Sequence, residues 1–334
     1  MLRIAISGFG RIGKNFLRAA VDLGAIGKTF EIVAINTRSG VAMHAHLLKY
    51  DSVYGRWEGK IEASEGKIKI NGRSIQWIQE TDPAKLPWKT LNVDWVVESS
   101  GEFREREDVE RHLEAGAKKV LITAPAKNAD VTIVPGVNDE AYKTNMKIVS
   151  LASCTTNALA PPLKVLDETF GIERGFLTTV HAYTNDQRIH DASHTDWRRA
   201  RAGAMNIIPT TTGAAKAIGL VIPELNGRMD GAAFRVPVAC GSINDIVLLL
   251  KRAAGANEIN AALKKAAEGK LKGIMRYSEE ELVSSDIIYT TESSIIDGKL
   301  TKAIGNLVKI NAWYDNEYGY SCRLVDFLKK VAKG

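Results

Sequence analysis

The chain has 334 residues, 45% hydrophobic and 25% charged. At about 100–200 residues per domain this length predicts two domains, and the composition excludes a disordered, collagen-like or low-complexity chain. The 45 Lys and Arg against 39 Asp and Glu give a formal charge of +6, spread along the chain without a basic tail, which favours small anions over nucleic acid as partners.

Arg3 to Ser7 reads as a strand, residues 12–23 as a helix and residues 31–36 as a second strand. A strand beginning at residue 3 leaves no expectation of a leader peptide. Residues 59–78 alternate instead: Lys67-Ile68-Lys69-Ile70 and Ser74-Ile75-Gln76-Trp77 flank Asn71-Gly72, a hairpin signature expected at a sheet edge. Residues 95–98, 119–123, 133–135 and 147–151 read as short buried strands, with an exposed helix over 104–115. This alternation predicts a Rossmann-type, doubly wound parallel sheet.

Beyond about residue 150 the strands lengthen, at 176–181, 232–238, 242–250 and 307–314. Fewer helices interleave them, so an α+β domain with a mostly antiparallel sheet is expected, within an α/β protein overall. Leu324, Val325, Phe327, Leu328 and Val331 have helical spacing and predict a closing helix over 318–332. No apolar run approaches the roughly 18–20 residues that span a bilayer. Three cysteines without C-x-x-C spacing fit a reducing compartment, and a cytoplasmic location is expected.

Gly8-Phe9-Gly10-Arg11-Ile12-Gly13 follows the first strand and opens the first helix. Gly8 permits the tight turn, Gly10 lets a pyrophosphate approach the backbone, and Gly13 allows close helix–strand packing. The helix N-terminus adds N–H donors for the phosphates. At the end of the second strand a carboxylate usually accepts from the ribose hydroxyls of NAD. Here the chain reads Asn36-Thr37-Arg38-Ser39. Arg38 can bind a 2′-phosphate through paired N–H donors, assisted by Thr37 and Ser39. This predicts NADP as the preferred cofactor, with NAD possible; the alternative is an Arg38 that stacks on adenine or faces solvent.

Ser153-Cys154-Thr155-Thr156-Asn157 is a polar cluster ahead of a helix expected to begin near Thr156. A helix N-terminus lowers a thiol's pKa, and thiolate character is the expectation for Cys154. His181, at the end of a strand, is the candidate base. A thiolate beside a nicotinamide can add to an aldehyde to give a hemithioacetal, whose carbon passes a hydride to the cofactor and leaves a thioester for water or phosphate to cleave. Thr210-Thr211-Thr212-Gly213 offers anion donors. Arg235 is a lone cation in the apolar run Phe234 to Val238, to be paired with an anion or a structural carboxylate. The cluster Arg198-Arg199-Ala200-Arg201 reads as an interface or solvated feature. Cys240 and Cys322 read as inert core thiols, and no histidine pair has metal-binding spacing.

Together with His181-Ala182-Tyr183-Thr184, Arg235-Val236-Pro237-Val238 and Trp313-Tyr314-Asp315-Asn316-Glu317, these segments run in one order along nearly the whole chain. That set resembles phosphorylating glyceraldehyde-3-phosphate dehydrogenase. The resemblance implies reversible conversion of D-glyceraldehyde 3-phosphate and inorganic phosphate to 1,3-bisphosphoglycerate by a homotetramer, in glycolysis or gluconeogenesis. It implies Cys154 as nucleophile and His181 as base. Thr184 and Arg235 would hold the substrate phosphate, and Ser153, Thr155, Thr212 and Gly213 the attacking phosphate. Arg11 and Ile12 would meet the pyrophosphate, Ser100 and Gly101 would lie near the cofactor, and Asn316 would hold the carboxamide. It also implies a dinucleotide-binding domain over 1–153, completed by a helix in 317–334, and a catalytic and tetramerisation domain over 154–316.

Two departures from the family's NAD-using members point to NADP: Thr37 stands where they have Asp, and Ala192-Ser193 where they tend to have Leu-Pro. The latter is similar to the photosynthetic, NADP-using members, in which Ser193 would help hold the 2′-phosphate across a subunit boundary. A paired-cysteine extension found in some of those is absent. Two other readings compete: an erythrose-4-phosphate dehydrogenase releasing a free acid, and a non-catalytic nucleotide- or RNA-binding module. No aromatic-interleaved basic tract marks a dedicated nucleic-acid site.

Overall fold

In the computed structural model, which describes residues 1–333, the chain divides into two units. The first comprises Met1–Ile133, Glu140–Ala152 and the chain from Ser321 onward; the second comprises Val134–Asp139 and Ser153–Tyr320.

The first unit holds the strands β1 (Leu2–Ser7), β2 (Phe30–Asn36), β3 (Tyr50–Asp51), β4 (Gly55–Arg56), β5 (Ile61–Ser64) and β6 (Lys67–Ile70). It continues through β7 (Arg73–Ile78), β8 (Trp95–Glu98), β9 (Lys119–Ile122), β10 (Val131–Thr132) and β11 (Ile148–Ser150). Its helices are α1 (Arg11–Asp22), α2 (Val41–Lys49) and α3 (Arg106–Glu114). The nine-stranded sheet runs β10-β11-β9-β8-β1-β2-β7-β6-β5, and β3 pairs only with β4. Pairing is parallel from β10 to β7. All four residues of β8 are buried, as expected of a strand covered on both faces. Ala5, Val96, Val120 and Ile148 belong to one packed core with Trp88 and Val109, each large apolar side chain contributing about 1.5–3 kcal/mol on burial.

The hairpin falls where its alternation placed it. Asn71 (φ 50°) and Gly72 (φ 81°) adopt the left-handed conformations of a two-residue turn between β6 and β7. β5 adds one more antiparallel strand at the edge. One expected strand is misplaced: residues 133–135 are not strand, and the ladder ends at Thr132. Pro135 has no N–H to extend it, and Val137 N–H closes a turn onto Val134 O at 2.9 Å.

Strand order reverses at β1, with β2 on one side and β8 on the other. A crevice opens beyond the carboxyl ends of strands at such a switch point. It gathers the segments after β1, β2 and β8 at one place.

The second unit holds α4 (Cys154–Phe170), β12 (Ile172–Ala182), β13 (Ile208–Thr211), α5 (Ala214–Val221), β14 (Met229–Val236) and β15 (Ser242–Leu250). It continues with α6 (Ala256–Glu268), β16 (Met275–Ser278), β17 (Ser294–Asp297), β18 (Lys302–Ile304) and β19 (Leu307–Tyr314). The eight-stranded sheet runs β13-β14-β12-β15-β19-β17-β16, with β18 on β19. Only β12–β14 and β16–β17 are parallel. β15 alternates buried and half-buried residues along its length, the pattern of a sheet with one covered face. Helix α7 (Tyr318–Val331) ends the chain. Its Phe327 ring meets Trp95 and Tyr142 edge-on, and Lys329 Nζ donates to Leu23 O. No described helix is long and apolar enough to cross a membrane.

Candidate active site

The glycine loop has the steric character its spacing requires. Gly8 has φ 90°, and a Cβ there would lie 2.3 Å from Ser100 N. A Cβ on Gly13 would lie 2.3 Å from Gly8 O, so the third glycine permits helix and loop to touch. Gly10 differs: nothing stands within 4 Å of an added Cβ. It is the N-cap of α1, and no side chain caps that end. Open backbone beside an uncapped helix N-terminus is what a pyrophosphate needs. The crevice is lined by residues 7–10, by Asn36, Thr37 and Arg38, and by Glu80, Ser100 and Glu102. Ile12 lies one residue into the helix, and Gly101 (φ 78°) follows the lining residue Ser100.

The hairpin positions the end of β2. Asn36 exchanges two 3.0 Å hydrogen bonds with the backbone of Glu80. Thr37 N–H donates to Ile78 O, Gln79 Nε2 to Arg38 O and Trp77 Nε1 to Ser39 O. Residues 37–39 are thus fixed at the backbone while Arg38 and Ser39 remain exposed. The Arg38 guanidinium is not idle: Nη2 donates to Glu102 Oε2 at 2.6 Å.

In the second unit the thiol sits at a forced turn. Ala152 has φ 53° and is fully buried, a conformation that costs a non-glycine residue roughly 1–2 kcal/mol. The chain then enters α4 directly: Ser153 is the N-cap, its Oγ accepting from Thr156 N–H at 3.0 Å. The helix begins at Cys154, two residues before the position expected. Burial pushes the Cys154 thiol above its ordinary value, while the Arg235 charge and hydrogen bonding by Thr155 pull the other way without reversing it. The expected depressed thiol pKa is therefore corrected: in this state desolvation outweighs the favourable charges, and the group rests as a thiol.

His181 Nε2 lies 3.5 Å from Cys154 Sγ. Parallel pairing of β12 and β14 sets His181 opposite Arg235. Burial, reinforced by the Arg235 charge, pulls His181 down to about 3, so the ring is neutral. Its Nδ1 has two neighbours, Arg235 Nη1 at 2.7 Å and Ala182 O at 2.6 Å. A guanidinium only donates. With Arg235 engaged, Nδ1 accepts and Nε2 carries its proton toward sulfur. With Nδ1 donating to Ala182 O, Nε2 is the acceptor instead.

Arg235 has no carboxylate partner within ion-pair distance among the described residues, and its buried Nε lacks any hydrogen bond. The structural ion pair considered for it is absent, which leaves an anion as the fitting partner. Arg199 is the first of two residues at this site that sequence reasoning missed. Its Nε and Nη2 donate to Thr210 Oγ1 at 2.9 and 2.7 Å, its Nη1 pairs with Asp186, and its charge bears on Arg235. The cluster of arginines gave no sign which one turned inward. Tyr314 is the second: its hydroxyl bridges Thr155 Oγ1 (3.0 Å) and Thr179 Oγ1 (2.8 Å), and burial holds its pKa well above the ordinary phenol value.

Thr184 donates its N–H and Oγ1 to Gln187 Oε1. Thr212 Oγ1 accepts from Ala214 N–H, and Gly213 is the N-cap of α5 with open space at its Cβ position. Asn316 Oδ1 accepts from Ser242 Oγ at 2.9 Å and Gly241 N–H at 3.2 Å. With Oδ1 committed, the amide nitrogen of Asn316 is the end that remains to donate. Ser193 is exposed within the segment 184–203 of the second unit, its carbonyl accepting from Arg188 Nε and Nη2. Cys240 and Cys322 are buried.

The family described as "Glyceraldehyde 3-phosphate dehydrogenase, NAD binding domain" matches residues 2–106, and its "C-terminal domain" matches residues 153–316. Glyceraldehyde-3-phosphate dehydrogenase of Thermotoga maritima is 54% identical over 334 residues, covering 100% of each chain. The protein of that name from Streptomyces coelicolor is 54% identical over 328 residues, covering 97% of each chain. That of Geobacillus stearothermophilus is 54% identical over 333 residues, covering 99% of this chain and 98% of the relative.

Proposed function

The chain belongs to the glyceraldehyde 3-phosphate dehydrogenase family and is an enzyme that uses a nicotinamide nucleotide, and from that premise we propose a phosphorylating dehydrogenase of D-glyceraldehyde 3-phosphate that prefers NADP. The observation that carries the reading is Cys154 Sγ, at the first turn of α4, 3.5 Å from the neutral His181 Nε2. We assign the dinucleotide to residues 1–153 with the helix in 317–334, and catalysis to residues 154–316.

Gly8, Gly10 and Gly13 fit a pyrophosphate, met by the backbone of Arg11 and Ile12. When bound, the oxidised nicotinamide supplies the hydride acceptor. Asn316, whose Oδ1 already accepts two hydrogen bonds, would offer its amide N–H to the nicotinamide carboxamide. Cys154 Sγ bonds to the aldehyde carbon, and its proton passes through His181 Nε2 to the aldehyde oxygen. His181 then takes that hydroxyl proton as C1 loses hydride, leaving a thioester on Cys154. A phosphate oxygen attacks the thioester carbon, the C–S bond breaks, and Cys154 regains its proton.

Arg235 has a second part in this account. A substrate phosphate drawing its guanidinium away frees His181 Nδ1 to donate to Ala182 O, and Nε2 becomes the acceptor the chemistry needs. Thr184 and Arg199 complete that anion site; Ser153, Thr155, Thr212 and Gly213 form the site for attacking phosphate at two helix N-termini.

Initial rates with glyceraldehyde 3-phosphate, with and without inorganic phosphate and with NAD and NADP in parallel, test this reading. Strict phosphate dependence and a higher kcat/KM for NADP are expected. A rate indifferent to phosphate points to acid release, as an erythrose-4-phosphate dehydrogenase would give, and no rate with either cofactor overturns the assignment of glyceraldehyde 3-phosphate as substrate. The absence of a carboxylate at Thr37, with Arg38, Ser39 and Ser193, supports NADP.

Ile189, Trp197, Met205 and Ile207 are all more than half exposed, Trp197 at 88%. So many large apolar groups on one stretch favour an interface, and we assign it to a homotetramer. Trp197→Glu should shift the sedimentation velocity profile from tetramer to smaller species; an unchanged tetramer would place the interface elsewhere.

A further inference from the structure

The cation at the end of β2 is already paired. Arg38 Nη2 and Glu102 Oε2 are 2.6 Å apart, and both residues line the same crevice. Glu102 stands on an anchored segment. Its N–H donates to Ser100 Oγ at 3.1 Å. Ser100 donates both its N–H (2.8 Å) and its Oγ–H (2.5 Å) to Glu98 Oε1. Glu98 Oε2 lies 3.0 Å from His112 Nε2, and His112 Nδ1 lies 3.0 Å from Trp88 Nε1. An indole only donates, so Nδ1 is the unprotonated nitrogen of His112 and Nε2–H donates to Glu98. Glu98, His112 and Trp88 are buried. A hydrogen-bonded chain thus runs from the core to the backbone N–H of residue 102 and anchors the segment whose carboxylate pairs with Arg38.

We propose that Glu102 sets the cofactor preference by competing with the 2′-phosphate of NADP for the Arg38 guanidinium. This rests on the reading of Arg38 as the 2′-phosphate ligand. NADP must break the Arg38–Glu102 pair and leave an anionic 2′-phosphate beside a carboxylate; NAD, with a hydroxyl there, does neither. The residue acts against NADP selectively, and it partly offsets the gain from lacking a carboxylate at position 37. Residues 37–39 after β2 and Ser193 all favour NADP in sequence, and the opposing charge comes from the segment after β8.

The test uses the full chain and four forms: wild type, Glu102→Gln, Arg38→Leu and the double variant. Dissociation constants for NADP and NAD come from quenching of protein fluorescence. Glu102→Gln should tighten NADP about fivefold, the upper range for freeing one exposed ion-pair partner, and change NAD by less than about twofold. In the Arg38→Leu background the same substitution should give little gain. An unchanged NADP constant in Glu102→Gln, an equal gain for both cofactors, or the full gain without Arg38 would each overturn the proposal. A wild type that prefers NAD removes the NADP preference but leaves the proposal supported if Glu102→Gln still shifts the ratio through Arg38.

Discussion

Cys154→Ser should lower kcat by at least about 10³-fold, because a serine hydroxyl has no accessible anionic form near neutrality and forms no thioester. The substitution is close in size, and Ser153 still caps α4 through Thr156 N–H, so the turn at Ala152 should persist. Cofactor affinity should change little, since the crevice residues belong to other segments. The measurement is single-turnover reduction of the nicotinamide alongside a binding titration. A variant within tenfold of wild type would remove Cys154 from the chemistry; loss of binding and turnover together would mark a folding defect instead.

His181→Asn should cost about 10²–10⁴-fold in kcat, the usual worth of a positioned general base, with a smaller change in KM. Its pH behaviour separates the proton-transfer role from a packing role. Burial and Arg235 hold the folded-state pKa of His181 at about 3, against about 6.5 in an unfolded chain. Wild-type kcat/KM should therefore show no acid limb near pH 6.5 from this group; a limb there would mean an ordinary histidine. Burial raises the thiol pKa of Cys154, so kcat/KM should instead climb on the alkaline side.

Stability follows from the same shift. Between pH 6.5 and about 3 the unfolded chain binds a proton on residue 181 that the folded chain refuses, so acid favours unfolding. The slope approaches about 1.4 kcal/mol per pH unit for one such histidine. His181→Asn removes that contribution, and its melting temperature should fall less than that of wild type between pH 7 and pH 5. Parallel falls in the two proteins would show that the histidine titrates alike in both states.

Much of the fold was legible because the two sheets impose different periods on the chain. Continuous apolar runs such as Trp95 to Val97 mark strands buried on both faces, and the alternation along β15 marks a sheet with one covered face. The Asn71-Gly72 turn could be read outright, since few residue pairs tolerate two successive positive φ angles. The strand at 133–135 failed for a local reason, Pro135 and the turn behind it. Of the site, Cys154 and His181 stood out by residue type and flanking sequence, 27 positions apart, and their 3.5 Å approach depends on β12 carrying His181 to the first turn of α4.

What the sequence by itself determined was the chemistry-bearing inventory: the glycine loop, the cysteine at a helix start, the histidine at a strand end, and a second strand ending without a carboxylate. Tertiary structure decided how those groups are charged and paired. Desolvation keeps Cys154 a thiol and His181 neutral, an effect set by neighbours remote in the chain. Arg199 turns toward Thr210 although three arginines of its cluster look alike in sequence. Glu102 reaches Arg38 across 64 residues. Electrostatics depends on distance and burial, and a linear sequence carries neither.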